Sequence, residues 1–95
     1  MPTYVVLYTL TEQGRKDIHD LADRMDQAKT RAESTGVKVV GSYVTMGAYD
    51  LVSIVEAPDD DAIARGAAAI LERGNVASVT MRAFTPDEWR RATKP

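Results

Sequence analysis

The order in which strand-like and helix-like hydrophobic periods alternate constrains the fold of this chain more than any other feature. Tyr4 to Leu10 (YVVLYTL) is β-branched and aromatic, which suits a pleated strand. From Ile18 the apolar positions are Ile18, Leu21, Ala22, Met25, Ala28 and Ala32, the spacing of one helix face. Gly14 weakens the turn before it, so a separate short turn is expected there, and Gly36 supplies a C-terminal stop. Val37 to Met46 and Tyr49 to Glu56 read as two further strands joined at Gly47-Ala48, a two-residue hairpin loop, with Gly41 a candidate bulge. Pro58-Asp59-Asp60-Asp61 opens a second helix with Ile63, Ala67, Ile70 and Leu71 as its stripe, ending near Gly74-Asn75. Val76 to Phe84 is a fourth strand. Thr85-Pro86-Asp87-Glu88 then predicts a short helix, with an N-cap, a proline at the first helical position and a capping-box glutamate.

The order is βαββαβ with a short C-terminal helix. It specifies an α+β, ferredoxin-like fold: a four-stranded antiparallel sheet with two helices on one face. Ninety-five residues suffice for one such domain, taken as residues 1–95. The 44% hydrophobic and 27% charged content is that of a globular chain. Twelve basic against fourteen acidic residues leaves no basic surplus for nucleic acid. Cysteine is absent, which removes disulfides, thiol catalysis and thiolate metal sites, and the lone His19 cannot build a multi-histidine centre. No metal or cofactor is therefore expected. Met1-Pro2-Thr3 carries no basic targeting region, and no apolar run approaches the ~20 residues of a membrane span. A soluble, cytoplasmic protein is the expectation.

The pleat divides the strands between two faces. On the last strand Ala77, Val79, Met81 and Ala83 are apolar and are expected to meet the helices; Val5, Leu7, Tyr43, Val52 and Ile54 join them. In the hairpin register Val44 opposes Leu51 and Ser42 opposes Ser53. The face without helices would then gather Tyr4, Val6, Tyr8, Val44 and Met46, with Tyr49, Leu51, Val55 and Phe84. Ser42, Ser53, Ser78, Thr80 and Arg82 lie among them. That apolar area is too large for a lone monomer, so a second copy, packed sheet against sheet, is expected to cover it.

Several stretches carry a resemblance. VVGSYVTMGAYDLVSIVEAPD holds Gly47, Tyr49 and Asp50; GNV (Gly74-Asn75-Val76) and RAFT (Arg82 to Thr85) follow in order. Together these resemble the GYD-domain family, over about Thr3 to Glu88. The resemblance implies a ferredoxin-like fold of the dimeric α/β-barrel kind and supplies no catalytic set.

Most candidate residues have a structural reading beside a chemical one. Gly47 meets a backbone demand for positive φ. Asp50 bonds the turn or serves as a base or acceptor. Tyr49 packs at an interface or donates its hydroxyl in a pocket shared with Tyr4 or Tyr8. Arg82, if buried on the open face, needs an anion: a partner's carboxylate or a ligand's carboxylate or phosphate. His19 is a helix-flank residue, Asp59-Asp60-Asp61 supplies charge to a helix N-terminus rather than a calcium loop, and Trp89 is a packing anchor.

Two function classes follow. One is a homo-oligomeric module that binds a small apolar or anionic molecule on the open sheet face through Tyr4, Tyr8, Tyr49, Asp50 and Arg82. The other is a cofactor-independent enzyme of the dimeric α/β-barrel type, resembling a monooxygenase, isomerase or dehalogenase by fold-level analogy. Neither involves nucleic acid or membrane.

Overall fold

The computed structural model describes Met1–Pro95. Strand β1 is Thr3–Leu10; a short helix α1, Glu12–Arg15, and a 3₁₀ turn, Ile18–Asp20, precede α2, Leu21–Glu33. Then come β2 (Lys38–Val44), β3 (Leu51–Glu56), α3 (Asp60–Leu71), β4 (Val76–Ala83) and α4 (Pro86–Ala92). The strands form one antiparallel sheet in the order β2-β3-β1-β4. This is the ferredoxin-like α+β arrangement.

Local chemistry explains the boundaries. A separate short turn does precede the main helix, with Gly14 inside it and the break at Lys16-Asp17. Gly14 is also a spacer: a Cβ there would lie 2.0 Å from the Asn75 carbonyl oxygen, so only glycine lets α1 meet the Gly74-Asn75 turn. Thr11 closes that contact, its N–H donating to Asn75 O at 3.0 Å and its hydroxyl to Gly74 O at 2.7 Å. Asp59 caps α3 by accepting from the Ala62 N–H at 2.8 Å. At α4 the Thr85–Glu88 capping box forms in both directions, with Pro86 at the first helical position. The backbone and hydroxyl of Thr85 hold the Glu88 carboxyl below its usual range.

The hairpin register is the expected one: Val44 faces Leu51, Ser42 faces Ser53, and the bulge falls between Val39 and Gly41. The loop is wider than two residues. Thr45 and Asp50 close it through a 2.8 Å bond from Thr45 N to Asp50 O, so Met46 to Tyr49 all lie in the turn.

The assignment of faces is reversed. Tyr4, Val6 and Val55 lie beneath the helices, in a core with Val37, Ala32 and Ala62. Leu10 and Leu51 pack with Leu21, and Tyr8 touches both groups. The residues assigned to the helix side instead form the open face. Size complementarity decides the matter: the helices bring Ala32, Ala62 and a buried Gly66 toward the sheet, and the sheet answers with tyrosines and branched aliphatics. A Cβ on Gly66 would meet Val37 Cγ2 at 2.9 Å, which measures how closely α3 approaches.

Two apolar rows cross the open face. Val5 sits between Ile54 and Met81; Leu7 sits between Val52 and Val79, and Tyr43 extends that row beyond Val52. Tyr43, Val79 and Met81 are 58%, 47% and 43% exposed.

Candidate functional site

The expected site residues divide among three places. Tyr4 is 4% exposed on the covered side, and its hydroxyl donates to Asp60 Oδ1 at 2.8 Å. That carboxylate, followed by burial, pushes the Tyr4 phenol above its ordinary range. Arg82 stands beside Tyr4 in the sheet register but is exposed at its edge. The guanidinium donates to the Thr3 and Ala83 carbonyls. It lies 4.4 Å from the Phe84 ring centroid and 5.7 Å from that of Tyr4. The condition set for an anionic partner, burial of Arg82 on the open face, is not met. Arg82 keeps its solvent and is steadied by carbonyls and an aromatic ring.

Tyr8 lies four residues along β1 from Tyr4, about 13 Å at strand rise. Burial pushes its phenol up, and the Ser53 hydroxyl opposes that shift. Tyr4 and Tyr8 therefore share the covered face but not one pocket with Tyr49, which is exposed in the hairpin. Only the Tyr49 carbonyl is engaged, accepting from the Thr45 hydroxyl at 2.6 Å. Gly47 has φ +136°, which accounts for glycine in the turn.

Asp50 has the most defined role. The β1–β3 ladder ends at Tyr8 opposite Leu51. One residue earlier, Asp50 donates its own N–H to Tyr8 O at 2.8 Å, and its carboxylate accepts the Leu10 N–H at 2.8 Å. The side chain takes the place of the next backbone carbonyl and completes the ladder after the strand has turned away. A carboxylate so engaged is a latch between the hairpin and β1. His19 is exposed, and Trp89 meets Phe84 edge-on at 5.9 Å rather than packing on its own sheet.

Sequence reasoning missed Arg24 and Arg31, which stand on the α2 side of a cavity of about 120 Å³ between the sheet and the helices. The Nε of each is shut off from solvent and has no hydrogen-bond partner. The helical stripe draws attention to its apolar residues, and no local pattern marks the arginines beside it.

An open-faced ferredoxin-like sheet with a Gly-x-Tyr-Asp hairpin latched to its central strand is the class of protein that this geometry defines. The family model described as the GYD domain matches residues 4–93, and the chain belongs to that family. It is 37% identical over 85 residues to a Thermus thermophilus protein named glutamine synthetase and cystathionine beta-lyase binding protein, covering 88% of this chain and 90% of that one. Among solved structures, FFRP-DM1 superposes with a TM-score of 0.64 at 22% identity, over 88% of this chain and 100% of that one. The protein TTHA0845, also from Thermus thermophilus, gives 0.60 at 23%, over 90% and 95%. These two likenesses establish the fold. No helix of the chain is long and apolar enough to cross a membrane.

Proposed function

We propose that this chain is a homo-oligomeric binding module: two copies close their open sheet faces on each other, and the assembly docks onto a metabolic enzyme. The carrying observation is the pair of apolar rows centred on Val5 and Leu7. Area supports it. The chain exposes 6314 Å², whereas a folded monomer of its mass exposes about 5,400 Å². The surplus, roughly 900 Å² on that scaling, is close to the ~800 Å² that each partner contributes to a standard interface. The C-terminal segment supports it too, since α4 reaches past the sheet with Trp89 58% exposed. The enzyme-docking role follows the name of the Thermus relative, whose partners are two enzymes. An enzyme reading for this chain would use Asp50 or a neighbour's acid as the base, and the Asp50 carboxylate already accepts the Leu10 N–H.

Light scattering at micromolar concentration should give twice the chain mass or a higher multiple, and Leu7→Glu should give a folded monomer. A monomeric wild type overturns the pairing. Surface plasmon resonance against purified glutamine synthetase and cystathionine β-lyase from the same organism tests docking. Saturable binding by the wild type to either enzyme supports it, and no response to both refutes it.

A further inference from the structure

The cavity between the sheet and α2 and α3 has a composition that packing alone does not require. Its volume is about 120 Å³. That is near the size of an apolar cavity able to hold benzene, ~150 Å³. Its walls include Leu21, Leu51 and Ile70, and its floor carries the hydroxyls of Tyr8, Ser53 and Ser78. Four basic residues line it, Arg24, Lys29, Arg31 and Arg73, and no acidic residue does. Yet acids outnumber bases in the whole chain, fourteen to twelve. The lining of this cavity is therefore basic, although Arg24 also borders a polar groove beside Asp17, Asp20 and Asp23.

The two arginines on α2 sharpen this. Neither belongs to an ion pair; the chain's pairs are Lys38–Glu56 and Asp87–Arg90. Arg24 is oriented by a 3.0 Å bond from Nη2 to the Gly14 carbonyl. Its Nε, like that of Arg31, is buried without an acceptor. A buried donor on a charged group left unpaired is costly, and a guanidinium is the side chain best matched to a carboxylate. The seven-residue spacing puts both arginines on one side of α2, two turns or about 10.5 Å apart along its axis. Arginine stems are long enough for both to approach one head group.

We propose that this cavity binds a small monocarboxylic acid with an apolar body of about six carbons. The body sits among the leucines and Ile70, and the carboxylate is held by the Arg24 and Arg31 guanidinium groups. The site lies on the covered side of the sheet and does not depend on pairing through the open face.

Hexanoate is the probe and 1-hexanol its neutral control, each titrated into the ¹⁵N-labelled protein and followed by amide chemical shifts and calorimetry. Hexanoate should saturate, shift amides of α2, α3 and β4, and bind at least ~10-fold more tightly than hexanol, a discrimination of about 1.4 kcal/mol. The double variant Arg24→Met, Arg31→Met keeps the aliphatic stems and should lose that preference. Ala67→Phe, which fills the cavity, should abolish hexanoate binding while the far-ultraviolet circular dichroism stays native. The proposal is overturned by hexanol binding as tightly as hexanoate, by hexanoate shifts unchanged in the double variant, or by no saturable shifts in the wild type. Ala67→Phe also guards against misfolding of the double variant, because it leaves both arginines in place. Undiminished hexanoate binding in Ala67→Phe likewise refutes the cavity as the site.

Discussion

On the covered face of the sheet, tyrosines and serines stand among the aliphatic side chains, with small helical residues above them. On the open face the two central rows hold only Val, Leu, Ile and Met, extended at one end by Tyr43. A water-facing sheet normally shows the opposite distribution, with hydroxyls outside and an unbroken aliphatic surface inside. The contrast shows that burial by the chain's own helices and the degree of apolarity are separate properties here. The covered face tolerates hydroxyls because Tyr4 finds Asp60 and because a cavity remains beneath the helices. The open face is uniform because a second surface, rather than water, is its proposed neighbour.

Adjacent residues on β1 offer the sharpest way to break this comparison. Val6 is in the core and Leu7 on the open face. Val6→Asp should unfold the domain, costing about 3–5 kcal/mol as an unpaired buried charge. Leu7→Glu should leave the fold intact and weaken self-association by a factor of ~100 or more, about 2.7 kcal/mol. Chemical denaturation and sedimentation read the two effects separately. Equal loss of folded protein in both variants would show that the open face is part of the domain's own core.

A smaller effect is expected at the end of β1, where both faces depend on the same latch. Asp50→Ala removes the acceptor of the Leu10 N–H and should cost about 1–3 kcal/mol. Asp50→Asn keeps an acceptor oxygen and should recover part of that loss. Thermal denaturation of the two variants ranks them. Equal melting temperatures for Asp50→Ala and the wild type would remove the latch from the account of the fold.

The smallest effect is in the pH dependence of the covered face. The folded-state pKa of Tyr4 is raised above its unfolded value, because the neutral hydroxyl donates to Asp60. Its contribution to stability is therefore fully present below the ordinary tyrosine range and is lost as pH rises through the raised folded value. Ultraviolet difference spectroscopy should show two of the four tyrosines, Tyr4 and Tyr8, ionising late. Tyr4→Phe should remove one of those two late ionisations.

Element order, register, bulge and capping box were legible because each rests on a local pattern: a two-residue period, a glycine, a Thr-Pro-Asp-Glu string. The orientation of the sheet was not. The alternation of Ala77, Val79, Met81 and Ala83 with Ser78, Thr80 and Arg82 identifies an apolar side of β4, but it names the helix side only if the other side meets water. The role of Asp50 was hidden for a different reason. Its partner Leu10 is forty residues away, and the bond exists only once β1 and β3 have paired. The close approach of Gly14 to Asn75 is hidden in the same way, since glycine weakens a helix whatever the tertiary reason for its presence.

The C-terminal segment has a practical consequence. Trp89 is the chain's one tryptophan, it stands exposed on α4, and it touches Phe84 rather than the sheet. Its indole emission is therefore an intrinsic beacon at the tip of the arm. A blue shift as protein concentration rises would signal that the arm has found apolar shelter on a neighbour. An unchanged spectrum across the assembly transition would mean that the arm stays in water and the sheets alone make the joint.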